Sequence, residues 1–270
     1  MRDAGYGIRD TGSEMHSMKI LGVIPARYAS SRFPGKPLAV IDGMTMIRRV
    51  YEQAVQCASL ERVIVATDHE TIRSHVALFG GDVMMTGEHH RSGTERCHEV
   101  VEKLRLDGEI YDCVINIQGD EPFIEPAQIE SVAGCFSVST TLLATLIRKV
   151  TDSEDLTNPS VVKVVVDNHG SALLFSRSAI PFIRGMEPQK WLSATAFYKH
   201  TGIYGYRSSV LDELVALPPS PLELAESLEQ LRWLENGYRI QTQITEYDSV
   251  AIDTPADLLK ITNRNGTFLQ

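Results

Sequence analysis

The segment Lys19-Ile-Leu-Gly-Val-Ile24-Pro-Ala-Arg27-Tyr-Ala-Ser30-Ser31-Arg32-Phe-Pro34-Gly35-Lys36-Pro37-Leu38 joins an apolar run to a loop that carries Arg27, Arg32 and Lys36 and no acid. The run up to Ile24 reads as a parallel strand buried on both faces, and a helical pattern opens near Met44. A strand, a cationic loop and a helix in that order put an anion site at the carboxyl edge of a parallel sheet. Arg27 and Arg32 bring planar forks, Lys36 brings a point charge, and Ser30, Ser31 and Gly35 bring hydroxyl or main-chain donors. Together these suit a triphosphate. Pro25, Pro34 and Pro37 each fix φ, so the loop loses less freedom on binding than a Gly/Ser loop would. It is not a Walker A motif, because Ser30 stands where the first glycine belongs and Pro37 where Ser or Thr belongs.

Working outward, apolar runs alternate with helical patterns as far as Phe136. Arg62 to Thr67 and Tyr111 to Ile117 read as buried strands, with amphipathic segments at Met46 to Cys57, Thr71 to Phe79 and Thr94 to Leu104 between strands. That rhythm predicts right-handed βαβ units. The fold expected is a Rossmann-like α/β domain over residues 18–270, with a mixed, mostly parallel sheet and helices on both faces. A small β-rich excursion is expected at about 141–206, with Asn168-His-Gly170 as its hairpin turn and residues 184–199 as a surface loop or partner contact. Helical patterns return at Ser208 to Leu217 and as one helix from Leu222 to Asn236, before a last strand, Ser249 to Ile252, and a helix.

The chain has 270 residues, 43% of them apolar, enough for a full core, and a formal charge of -9 with no basic stripe outside the loop. Nucleic acid is thereby excluded as a partner. No run reaches the roughly 18 apolar residues needed to cross a membrane. Residues 1–17 lack the apolar core of a signal peptide and any periodic pattern, so a disordered or non-native extension is expected there. Cys57, Cys97, Cys113 and Cys135 form no CxxC pair and lie in apolar periodic segments, which suits core packing in a reducing cytoplasm. His89-His90 and Cys97-His98 have no zinc-site spacing.

Asp120 and Asp253 are the candidate metal ligands. Each follows an apolar run, and two carboxylates beside a polyphosphate suit Mg2+, which takes one or two carboxylates plus phosphate oxygens and water. Asp253 is free for this role because Thr254-Pro-Ala-Asp257 already forms a capping box. Ser92 and Glu95 form a second capping box, and the helix N-terminus behind it can offer N–H donors to an anion. His200, Gly202, Tyr204 and Tyr206 share one face of a strand, a polar aromatic face that suits either a sugar or a hydrogen-bonded core. Leucines at 224, 228 and 231 mark the buried stripe of the helix from Leu222, leaving Glu229 and Gln230 on its polar flank.

The loop, together with Thr67-Asp68-His69-Glu70, Ser92-Gly-Thr-Glu-Arg96, Asn116-Ile-Gln-Gly-Asp120-Glu-Pro122, Asn158-Pro-Ser-Val-Val-Lys163, Phe175-Ser-Arg177, Gly202-Ile-Tyr-Gly-Tyr206 and Leu228-Glu-Gln-Leu-Arg232, resembles the 3-deoxy-manno-octulosonate cytidylyltransferase family. The resemblance runs in family order from about Met18 to Asp257. It implies a Mg2+-dependent cytidylyltransferase that joins CTP and 3-deoxy-D-manno-octulosonate to give the CMP-sugar and pyrophosphate, in bacterial lipopolysaccharide biosynthesis. By the same resemblance Arg32, Lys36, Asp120 and Asp253 are catalytic, the two aspartates holding the metal. Pro25, Ala26, Arg27, Ser30, Arg32, Lys36, Ser92 and Gly93 meet the nucleotide, and Arg96, Gln118, His200, Tyr204, Glu229 and Gln230 meet the acid sugar. A homodimer is expected. Two rivals stay open at this point: a cytidylyltransferase for another acidic sugar such as a sialic-acid relative, and a sugar-1-phosphate nucleotidylyltransferase, which predicts a glycine-rich opening loop.

Overall fold

The computed structural model describes residues 18–29, 33–248, 251–252 and 254–264, the last five of these by their backbone alone. Residues 1–17 therefore lie outside the described residues, as do Ser30, Ser31, Arg32 and Asp253.

Strand β1, Ile20–Ala26, is the hinge of the architecture. A two-stranded hairpin of β2, Val40–Ile41, and β3, Met44–Thr45, leads into helix α1, Met46–Ala54. Strand β4, Arg62–Thr67, helix α2, Glu70–Leu78, and strand β5, Val83–Met85, follow, then helix α3, Gly93–Leu106, and strand β6, Cys113–Asn116. β1 pairs in parallel with β4 on one side and with β6 on the other. The chain thus reverses its direction of travel across the sheet at β1, which opens a crevice beyond the carboxyl ends of β1 and β6.

Helix α4, Pro126–Cys135, leads to strand β7, Leu143–Lys149. Helix α5, Ser153–Thr157, strands β8, Lys163–Val166, and β9, Ala172–Ser176, and helix α6, Trp191–Ala194, precede the long strand β10, Tyr198–Arg207. Helices α7, Leu211–Ala216, α8, Pro221–Glu226, and α9, Glu229–Glu235, strand β11, Ile240–Ile244, and helix α10, Pro255–Arg264, complete the chain. The sheet runs β11-β7-β10-β6-β1-β4-β5, with β10 antiparallel to both of its neighbours and the other pairs along that path parallel. This is the expected mixed, mostly parallel sheet.

Side chains alternate along β1. Leu21 and Val23 join a core with α3, α7 and α9, through Val100, Leu104, Leu211, Leu231 and Trp233. Ile20 and Ile24 join a second core with α1, α2 and α4, through Ile47, Val50, Ile72, Ile129 and Val132. Helices therefore cover both faces. The four cysteines are buried and free, and desolvation pushes the Cys57 thiol up to about 12 and Cys135 to about 11, the behaviour of core packing. No helix among the described residues is long and apolar enough to cross a membrane.

Four expectations need correction. The stretch 141–206 is not one excursion, because β7 and β10 are inner strands of the main sheet, where Leu143, Ala144, Leu146 and Ile147 are buried on both faces. Only the hairpin of β8 and β9 leaves the main path, pairing with β10 at Tyr198 and Lys199. Its turn is the expected one, with Asp167 Oδ1 accepting from the N–H groups of His169 and Ser171 at 2.8 Å. Residues 184–199 are more than a surface loop, since Trp191 is buried with Val150, Leu156 and Phe197 in a core of their own.

The helix expected from Leu222 to Asn236 is broken at Ser227, which sits at φ 52°. A capping box between Ser220 and Glu223 starts α8. Leu224 is left 69% exposed while Leu228 and Leu231 stay buried, because the break rotates the two halves onto different faces. Finally, Ala251 and Ile252 are not in a strand. Ile252 packs instead with Ile41 and Met46, and its N–H bonds the carbonyl of Asp120 at 3.0 Å.

A Cβ on Gly205 of β10 would lie 2.5 Å from the Phe136 ring and 2.8 Å from Val132, so α4 packs onto this strand only because the side chain is missing. We expect Gly205→Ala to cost about 1–3 kcal/mol of stability, read as a lower urea midpoint. An unchanged midpoint would show that α4 can retreat without loss.

Candidate active site

The crevice at the switch point is lined by Pro25, Ala26, Arg27, Lys36 and Pro37 from the loop after β1, by His90, Arg91, Ser92, Gly93 and Arg96 around the start of α3, and by Gln118, Gly119 and Asp120 after β6. The walls touch: a Cβ on Gly119 would lie 2.7 Å from the carbonyl oxygen of Pro25, so the turn after β6 lies directly on the end of β1. The capping box of α3 forms in part. Ser92 Oγ accepts from the N–H of Glu95 at 3.3 Å, while Glu95 Oε2 accepts from the N–H of Arg91 rather than Ser92, at 2.6 Å.

Charges in the crevice are partly matched. Lys36 Nζ donates to Asp120 Oδ2 at 2.6 Å, with side chains 14% and 27% exposed. Arg96, which the family resemblance assigns to the sugar, is 3% exposed. Its Nη1 donates to Thr86 Oγ1 at 2.6 Å and to the carbonyl of Gly87 at 3.2 Å, and its Nη2 donates to Asp68 Oδ2. The guanidinium therefore braces the crevice from behind. Asp68 also accepts, through Oδ1, from the N–H of Tyr28 at 3.5 Å, and the Tyr28 ring stacks on His69 at 4.0 Å. His90 is held by Glu99. Among the described residues of the crevice, Arg27 and Arg91 have side chains with no ion pair.

Asp120 offers a hard carboxylate oxygen at the crevice wall, with its backbone carbonyl anchored by Ile252. A site of one such oxygen open toward phosphate and water fits Mg2+. The partner expected for it, Asp253, lies outside the described residues.

The remaining expected residues, except Gln118, form an adjoining group on the face covered by α3 and α9. His200 Nε2 pairs with Thr145 Oγ1 at 2.9 Å under the rings of Phe175 and Tyr204, and desolvation lowers its pKa to about 3, so the imidazole is neutral. His200 and Tyr204 lie on one side of β10 with ring centroids 5.0 Å apart, across a register shift between Thr201 and Tyr204. Tyr204 is buried edge-on against Trp233 at 5.2 Å; its hydroxyl has no hydrogen-bond partner among the described residues, and burial raises its pKa well above the ordinary value. Glu229 accepts from Thr94 Oγ1 at 3.0 Å, which ties this group to the first turn of α3 at the crevice wall, and burial raises its pKa. Gln230 corrects the expectation of a polar flank: it is 5% exposed, because the break at Ser227 turns it inward.

Sequence reasoning passed over Asp68, Thr86, His90, Arg91 and Thr94 as site residues. Asp68 carried a readable signal, standing one residue past a buried strand in a motif already singled out. Thr94 is recruited by contacts far along the chain, to Tyr206 and Glu229, while Thr86, His90 and Arg91 are placed by the turn into α3.

The sequence model of a family described as Cytidylyltransferase matches residues 21–241. The 3-deoxy-manno-octulosonate cytidylyltransferase of Parabacteroides distasonis is 53% identical over 247 residues, which cover 90% of this chain and 96% of that one. The enzyme of the same name from Geobacter metallireducens is 45% identical over 261 residues, covering 93% and 99%. Among solved structures, CMP:2-keto-3-deoxy-manno-octonic acid synthetase complexed with CTP superposes with a TM-score of 0.84 at 42% identity, covering 93% of this chain and all of that one. A glucose-1-phosphate thymidylyltransferase from Bacillus anthracis shares the fold alone, at a TM-score of 0.61 and 18% identity. On this agreement of sequence, fold and crevice, the chain belongs to the cytidylyltransferase family, within its 3-deoxy-manno-octulosonate cytidylyltransferases.

Proposed function

We propose that the protein transfers CMP from CTP to 3-deoxy-D-manno-octulosonate and releases pyrophosphate, in bacterial lipopolysaccharide biosynthesis. The observation that carries this reading is the Lys36–Asp120 pair, which brings the cationic loop and a metal-type carboxylate to one wall of the switch-point crevice. The anomeric hydroxyl oxygen of the sugar attacks the α-phosphorus, the bond from that phosphorus to the β-phosphate oxygen breaks in line, and the hydroxyl proton passes to solvent. Arg27, Ser30, Arg32 and Lys36 hold the triphosphate and offset the charge that grows on the departing pyrophosphate, with Pro25, Ala26, Ser92 and Gly93 beside the nucleotide. Asp120 and Asp253 hold Mg2+, which when bound polarises the α-phosphate and acidifies the attacking hydroxyl. Gln118, His200, Tyr204, Glu229 and Gln230 form the sugar side, where a neutral His200 and a Tyr204 hydroxyl in need of a partner favour hydroxyl groups over charge. Arg91, with no ion pair of its own, replaces the occupied Arg96 as the cation for the sugar carboxylate. The four free thiols support a reducing, cytoplasmic setting.

We further propose a homodimer built on the segment between β7 and β10. Phe182 there is 75% exposed and Leu173 on β9 is 59% exposed, beside the small core around Trp191. Sedimentation should give twice the mass of the chain, and Phe182→Ser should shift it toward the monomer; a monomeric parent protein rules the dimer out.

The reaction is tested by pyrophosphate release from each nucleoside triphosphate against a panel of acidic sugars, with CTP and 3-deoxy-D-manno-octulosonate expected as the preferred pair. Preference for a sialic-acid relative would redirect the assignment. In the same assay Asp120→Asn and Asp253→Asn should each abolish turnover and leave the circular dichroism spectrum unchanged, and near-normal rates at saturating Mg2+ would remove the metal role.

Lys36→Ala should lower kcat more than it raises KM for CTP, because negative charge grows on the leaving group only as the bond breaks. A contact of this kind is worth on the order of 100- to 1,000-fold in rate. A raised KM with kcat intact would make the loop a holder of substrate only.

A further inference from the structure

Lys36 and Asp120 serve opposite halves of the proposed chemistry, one the triphosphate and the other the cation, yet here they hold each other at 2.6 Å. Neither can drift far at its base. Asp120 is anchored through its carbonyl to Ile252, and the neighbouring Gly119 is pressed against the Pro25 carbonyl. Lys36 opens a single 3-10 turn, Lys36–Leu38, stiffened by Pro37, so any movement of its ammonium is confined to the four-carbon stem. Both side chains are mostly buried, so water alone is a poor substitute for either partner. Among the described residues, the other crevice cations do not compete for Asp120: Arg96 is taken by Asp68, and Arg27 and Arg91 carry no ion pair.

We infer that Lys36 is the resident counter-ion of Asp120, and that a divalent cation reaching Asp120 displaces it onto the triphosphate. This inference rests on the proposed placement of cation and nucleotide in one crevice. A doubly charged ion and an ammonium cannot share one carboxylate at hydrogen-bond range without strong repulsion. The displaced ammonium moves toward Arg27, completing a cationic wall for phosphate. Cation and nucleotide therefore bind as a coupled pair, each raising the affinity for the other by the same factor.

The test is Mn2+ binding to the full chain without nucleotide, followed by electron paramagnetic resonance. Lys36→Met should tighten Mn2+ binding about tenfold, and Asp120→Asn added to it should abolish the gain. Arg27→Met, which removes the same charge from the same crevice without touching Asp120, should change Mn2+ affinity less than twofold. An unchanged affinity in Lys36→Met, or an equal gain in Arg27→Met, overturns the inference, since the effect would then be absent or merely the general field. In the unmutated protein, Mg2+ should speed acylation of Lys36 by acetic anhydride, read by peptide mass spectrometry, and CTP added with Mg2+ should suppress it. Indifference of Lys36 labelling to Mg2+ also overturns it. These readouts need no turnover, so failure of the proposed reaction and failure of the counter-ion role are seen separately.

Discussion

The buried pair of Asp68 and Arg96 is the contact on which the crevice depends. Asp68 directly follows β4 and Arg96 lies in the first turn of α3, so one ion pair joins the sheet edge to the helix. Through Tyr28 it also reaches the loop after β1, and through Thr86 and Gly87 the segment after β5. Removing one partner of such a pair typically costs about 3–5 kcal/mol, because the survivor is left charged in a poor solvent. Four separate parts of the chain would lose their common anchor at once.

Arg96 is committed to bracing, whereas other polar groups of the site keep hydrogen-bonding capacity unspent. Among the described residues, Arg27 and Arg91 line the crevice without ion pairs, and the Tyr204 hydroxyl is buried without a hydrogen-bond partner. The described site thus divides by chemistry: cations beside the end of β1 and the start of α3, and the buried Tyr204 and Gln230 in the adjoining group. In a chain of formal charge -9, the described lining of this crevice has Arg27, Lys36, Arg91 and Arg96 against the single carboxylate of Asp120.

Much of this was legible in the sequence. The β-branched run at β1, the cationic loop behind it and the alternation up to Phe136 are local patterns, and the strands and helices appear where the periodicity puts them. The 141–206 stretch was misread because β7 and β10 have the same short, apolar look as the hairpin of β8 and β9. A strand's own sequence does not say whether it pairs inside the main sheet or beside it. The break at Ser227 escaped notice for a related reason: leucines at helical spacing continue across it, and only packing against the sheet selects two short helices over one.

Taken alone, the sequence determined the order of elements, the anion-binding character of the first loop and the residue types available for catalysis, since these depend on neighbours a few positions apart. The tertiary structure decided which of those residues are committed elsewhere. Arg96 and Arg27 look equally available as a string, but one guanidinium is buried on Asp68 and the other lines the crevice. The physical reason is that a charge is spent or available according to the partner the fold brings within about 3 Å of it, and that partner lies 28 residues away in the chain for Arg96 and 84 for Lys36.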